Sequence, residues 1–186
     1  MQPAVPNGAF TELDLIARAQ EGDRWAFGEL VRSHWQGVVN VVYRMCGDAA
    51  LAEDAAQDTF IQAWEHLPGY RPRSAFRNWL YRIATNRALD LLRKERPASD
   101  IEALALADPQ TGPEGHILSQ EQAGRVRAAV LMLPPASRSV LVLREYEGLP
   151  YRDIADALGI PLGTVMSRLS YARQFLREHL AADLEA

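Results

Sequence analysis

The residues best placed to do chemistry lie in the run Tyr151–Leu180, YRDIADALGIPLGTVMSRLSYARQFLREHL. Thr164, Ser167, Arg168, Tyr171 and Arg173 fall on one side of a helical period whose other side carries Val165, Leu169, Ala172 and Leu176. Small hydroxyls, a ring and guanidinium groups at the start of a helix suit hydrogen bonding and apolar contact with base edges in a DNA major groove. A shorter period precedes them, with Ile154, Ala155 and Leu158 on one face, and Gly159 and Pro161 interrupt the two. Helix, tight turn, helix is the expected order. Periodicity alone also fits an amphipathic helical hairpin with a solvated face. The turn glycine, the small residues after it and the Ser167–Arg168 pair favour sequence-directed DNA binding together, though none does alone.

A second cluster precedes it: YRPRSAFRNWLYRIATNRALDLLRK. Arg71, Arg73, Arg77, Arg82, Arg87, Arg93 and Arg96 alternate here with Tyr70, Phe76, Trp79 and Tyr81. Guanidinium groups neutralise phosphates and flat rings stack on unpaired bases, so this mixture suits single-stranded or opening DNA. Trp79, Leu80 and Ile83 also carry the spacing of a core stripe. Asn86, one turn from Arg82, is the better base-edge candidate. A third cluster is acidic: ALAEDAAQDTFIQAWEHL sets Asp54 and Asp58 one turn apart, with Gln57, Phe60, Ile61 and Trp64 nearby. It reads either as a protein-docking surface or as an ordinary half-exposed helix.

The elements that must position these clusters are all helical. Expected helices open at Thr11, with Asp14 completing a capping box and Leu13, Ile16 and Ala17 facing inward. They continue at about 24–45 and 49–66, the second capped by Asp48, and then at about 74–94. The apolar set of the 24–45 helix is Phe27, Leu30, Val31, Val38, Val41 and Val42. After a break, helices follow at about 118–132, 136–147, 150–158 and 162–181, with joints at Pro134-Pro135 and Gly148-Leu149-Pro150. Residues 95–117, ERPASDIEALALADPQTGPEGHI, hold three prolines, two glycines and five acids, the composition of an exposed tether. The fold class is therefore all-α: two small helical domains, 11–95 and 118–181, joined by an acidic linker over 96–117.

Composition narrows the field. The 186 residues are 48% hydrophobic, enough to build cores, and carry a formal net charge of −4. That charge is divided: residues 1–65 sum to −6, 66–99 to +6, 100–124 to −5 and 125–186 to +1. A compact basic block sits between two acidic ones. No apolar run of 18 residues offers a membrane span, and the first residues lack the basic flank and apolar core of a secretion signal, so a cytoplasmic protein is expected. The single cysteine, Cys46, and four scattered histidines form no metal-ligand spacing, and Cys46 reads as a buried small hydrophobe. With no nucleophile–base pair, phosphate loop or metal cluster, neither an enzyme nor a cofactor is expected.

Taken together, DLIARAQEGDRWAFGELV, AEDAAQDTFIQAWEHL, FRNWLYRIATNRALDLLRK and YRDIADALGIPLGTVMSRLSYAR, in this order, resemble the extracytoplasmic-function sigma factors of bacterial RNA polymerase, over residues 11–181. The resemblance implies that Asp54, Gln57, Asp58 and Phe60 dock on the clamp of the polymerase large subunit. It implies that Tyr70, Arg71, Arg73, Arg77, Trp79, Arg82 and Asn86 recognise and melt the −10 element of promoter DNA. Thr164, Ser167, Arg168, Tyr171 and Arg173 would then read the −35 element. An anti-sigma factor is the further partner that the resemblance implies. Met166 and Tyr171 stand where similar proteins often carry basic residues, so no particular −35 sequence carries over. The runner-up is a stand-alone helix-turn-helix regulator that binds operator DNA by itself.

Overall fold

The computed structural model describes residues 10–72, 74–94 and 116–182. The stretch IEALALA and Arg73 fall outside them. Among the described residues the chain is helical with no strand: α1 (Glu12–Gln20), α2 (Arg24–Cys46), α3 (Ala49–His66), α4 (Phe76–Lys94), α5 (His116–Met132), α6 (Pro135–Leu141), α7 (Tyr151–Leu158) and α8 (Leu162–Ala182). The expected capping box closes α1: Thr11 N donates to Asp14 Oδ2 at 3.0 Å and Asp14 N to Thr11 Oγ1 at 3.2 Å. Asp23 caps α2 through Trp25 N and Ala26 N, and Asp48 caps α3 through Leu51 N. These bonds from Ala26 and Trp25, with Arg18 alongside, hold the Asp23 carboxyl below its ordinary range.

The first half is a bundle in which α2 crosses α1, α3 and α4. Leu30, Val38, Val41, Val42 and Met45 of α2 are buried against Ala52, Ala55, Ala56 and Phe60 of α3 and Leu80, Ala84 and Ala88 of α4. The alanines let α3 and α4 approach α2 closely, while the valines and leucines fill the gaps. Two sequence expectations need correction. Leu13 is 64% exposed and Ala17 exposed too, so the inner face of α1 is Ile16 and Ala19, continued by Gln20, whose amide donates to the carbonyls of Leu67 and Tyr70. Cys46 is only half-buried, at the end of α2; its neighbour Met45 takes the core position.

In the second half α8 packs across α5, α6 and α7 over Val140, Leu143, Leu149, Ile154, Val165, Leu169 and Ala172. The single helix expected over 136–147 is α6 followed by a π turn, Val142–Tyr146, closed by Glu147 N onto Val142 O. One extra residue per turn re-aims the side chains that follow. It sends Glu145 toward α8 and Glu147 toward α2 and α4.

The two halves touch. Tyr81 Oη donates to Glu147 Oε2 at 2.7 Å, Arg44 Nη1 lies 3.4 Å from Glu147 Oε1, and Asn78 Nδ2 donates to Asp153 Oδ2 at 2.7 Å. The Arg44 guanidinium sits 4.4 Å from the centre of the Tyr146 ring. Arg127 reaches the Tyr43 hydroxyl, and Arg138 donates to Met45 O at the end of α2. This polar seam joins α2 and α4 to α5, α6, the π turn and α7.

Candidate nucleic-acid and polymerase interface

Three exposed faces rise from this scaffold. On α3, Asp54, Gln57 and Ile61 form a stripe at helical spacing, with Ile61 58% exposed. Asp58 lies at its edge, half-buried, and pairs with Arg87 of α4. Phe60 is not part of this surface. It is 5% exposed and stacks on Trp35 with ring centres 5.8 Å apart, because the apolar face of α3 turns it toward α2.

On α4 the outer row is Arg82, Asn86 and Arg93, one and about three turns apart. Arg77 and Arg82 are exposed and make no hydrogen bond or ion pair among the described residues. Arg93 pairs with Asp90, and Arg71 donates to the carbonyls of Pro68 and Tyr70. The rings expected to stack on bases mostly stack on one another. Tyr70, Phe76 and Trp79 form a triangle with centres 4.9 to 5.5 Å apart, and His34 edges onto Phe76 at 5.5 Å. Tyr70 is 6% exposed and its hydroxyl donates to Ser74 O at 3.1 Å, which shapes the loop entering α4. Burial raises its phenol above the ordinary value. Trp79, half-buried, is the ring of this triangle with a face left over.

On α8, Val165, Leu169 and Ala172 point into the core, and the outermost row is Gly163, Ser167, Ser170 and Gln174. Met166 and Tyr171 flank that row, 54% and 48% exposed. Gly159, at φ 63°, makes the left-handed turn from α7 that sets α8 in place. Ser167 Oγ donates to Thr164 O at 3.1 Å, and Thr164 is half-buried. Arg173 is engaged: its Nε and Nη2 reach Glu145 Oε1 at 3.0 and 2.6 Å. Arg168, half-buried, lines a cleft of about 450 Å³ between the halves, together with Asn86, Leu89 and Leu92 of α4 and with Leu158 and Ile160. Asn86 and Arg168, expected on separate DNA contacts, thus face one cleft. Sequence reasoning gave no contact role to Asn78, Glu147 and Asp153, which take part in the seam; nothing local marks them, since their partners lie 66 to 103 residues away.

The same two halves recur in known proteins. Residues 30–98 match Sigma-70 region 2, and residues 123–176 match Sigma-70, region 4. The chain is 39% identical to the RNA polymerase sigma-H factor of Pseudomonas aeruginosa over 178 residues, 89% of this chain and 92% of the relative. It is 38% identical to the ECF RNA polymerase sigma factor SigE of Mycolicibacterium smegmatis, spanning 92% of this chain and 73% of that one. Its fold is similar to CnrH, solved in complex with the cytosolic domain of CnrY, at a TM-score of 0.70 and 30% identity, covering 91% of this chain and 96% of that one. It is also similar to the sigma factor RpoE of Bartonella quintana, solved with the anti-sigma factor NepR, at 0.69 and 26%, covering 84% and 98%. On these matches in both halves, the chain belongs to the extracytoplasmic-function sigma factors of RNA polymerase, within the sigma-70 family.

Proposed function

We propose that the three exposed faces divide the work of a sigma factor: α3 binds core RNA polymerase, α4 handles the −10 element, and α8 reads the −35 element. The observation that carries this division is the contrast between neighbouring helices. The stripe Asp54–Gln57–Ile61, bordered by Asp58, and the arginines Arg77 and Arg82, which make no ion pair among the described residues, lie on adjacent helices. One face suits a basic protein surface and the other suits phosphates. The polymerase supplies the chemistry, and no catalytic role is assigned to this chain. Phosphate contacts from the arginines would set affinity and salt dependence, and a few side chains would set sequence choice. No helix among the described residues is long and apolar enough to cross a membrane, in keeping with work in the cytoplasm.

In this reading the chain must open to act. Elements named −35 and −10 lie roughly 85 Å apart along duplex DNA at about 3.4 Å per base pair. The closed chain instead holds Asn78 of α4 within 2.7 Å of Asp153 of α7, at the foot of the reading helix. Residues 95–115 join α4 to α5 outside the described helices. Fully extended, 21 residues span about 70 Å, enough with the bulk of the two halves to cover the distance. The similarity to CnrH and RpoE, each solved with a bound partner and RpoE's named an anti-sigma factor, supports a partner of that kind.

The test is transcription in vitro from a randomised promoter library by core polymerase, with and without the chain. Transcripts that require the chain and share motifs near −35 and −10 are the expected result. Asp54→Arg, at an exposed site, is expected to weaken co-sedimentation with core polymerase at least tenfold while leaving the urea midpoint unchanged. Unaltered co-sedimentation would remove α3 from the docking role.

A further inference from the structure

We infer that Met166 is a specificity-determining residue of the −35 reader, selecting thymine through apolar contact with its C5-methyl group. The inference rests on the reading of α8 as the −35 helix.

Apolar side chains exposed side by side offer a partner surface an apolar contact. Met166 is 54% exposed on the second turn of α8, and Leu162 is 41% exposed one turn earlier. Both lie on the flank of the row Gly163, Ser167, Ser170 and Gln174. That row carries only small or slender side chains over its first two turns, so the helix can approach base edges closely there. A close approach brings the flanking Met166 to the groove floor.

The nearest cation on the Met166 flank is directed elsewhere: Arg173 is held by Glu145 of the same half through two nitrogens. Ser167 spends its hydroxyl proton on Thr164 O. Over the first two turns of α8 the large exposed side chains, Leu162 and Met166, are both apolar. In the major groove the one apolar feature that distinguishes base pairs is the thymine methyl. A thioether side chain with three rotatable bonds adapts to that small target.

The experiment uses the full chain, core polymerase and the promoter selected from the library. Thymines in the −35 element, on either strand, are replaced one at a time by deoxyuridine, which removes only the methyl. At one or two positions the wild-type chain is expected to lose about threefold to fourfold in transcript yield, the effect of one buried carbon. Met166→Ala is expected to lose a similar amount on the thymine promoter and nothing further on the deoxyuridine one. Met166→Leu should restore the distinction. Because position 166 is exposed, the urea midpoint of both variants should match wild type.

Indifference of the wild-type chain to every deoxyuridine, or survival of the distinction in Met166→Ala, would overturn the inference and leave the sigma-factor reading standing. Absence of any transcript dependent on the chain would overturn both.

Discussion

Arg138 shows how one side chain can terminate two helices. It is 7% exposed, and its guanidinium donates to Met45 O at the end of α2 and to the carbonyls of Leu131 and Leu133 at the end of α5. Helix ends leave carbonyls without intrahelical partners, and a planar cation satisfies several at once. Arg138→Met keeps the apolar stem but strands those acceptors. Hydrogen bonds to charged groups are each worth about 1.5–3 kcal/mol, so a loss of about 2–5 kcal/mol in unfolding free energy is expected, read from the urea midpoint. Tyr81 makes a second prediction. Burial, and then the bond to Glu147 and its charge, raise its phenol well above the ordinary 10.0, against the smaller opposing pull of Arg77 and Arg44. The closed chain therefore holds this proton more tightly than the unfolded one. The stabilisation is complete below pH 10 and is lost as pH rises above it. Relative to Tyr81→Phe, the wild-type chain should lose unfolding free energy above pH 10 by up to about 1.4 kcal/mol per pH unit.

Among the elements, two glycine turns separate backbone strain from packing. Gly159 has φ 63°, and a Cβ there would meet nothing within 4 Å. Gly47, at φ 81°, closes α2 where a Cβ would come within 2.8 Å of Leu131 Cδ1 from α5. Gly159→Ala is expected to cost about 1–2 kcal/mol, the left-handed penalty alone. Gly47→Ala should cost more, because Leu131 must also shift; equal losses in denaturant titrations would show that Leu131 gives way freely. The Gly159 turn was legible as punctuation in the sequence, as were the caps at Thr11 and Asp48 and the order of the helices. Caps, breaks and periods are local signals. The roles of rings were less legible. Tyr70 and Phe60 have the composition of contact residues, yet Tyr70 closes its own loop and Phe60 stacks on Trp35. Which side of a helix its neighbours cover is decided by tertiary packing, which a period cannot reveal when polar and apolar residues share both flanks. The π turn was hidden for the same reason: its consequence is an aim, at Arg173 and Tyr81, that lies outside its own five residues.

At the scale of the whole molecule, a polar seam holds together the two halves that the proposed function requires to part. Replacing Glu147 by Gln removes the charge facing Arg44 and weakens the acceptor for Tyr81. The variant is expected to show a larger radius of gyration in solution scattering, and unchanged dimensions would mean that the seam does not depend on that charge. The seam can be modest and still prevail. A connection of 21 residues confines the parted halves to a sphere of roughly 70 Å radius, which sets an effective concentration of about 1 mM for each half as seen by the other. Two separate fragments would need only a dissociation constant near that value, about 4 kcal/mol of affinity, for the joined chain to spend half its time shut. On the proposed reading, promoter and polymerase compete against a local concentration rather than a strong bond, and every doubling of the open fraction doubles the apparent affinity for DNA.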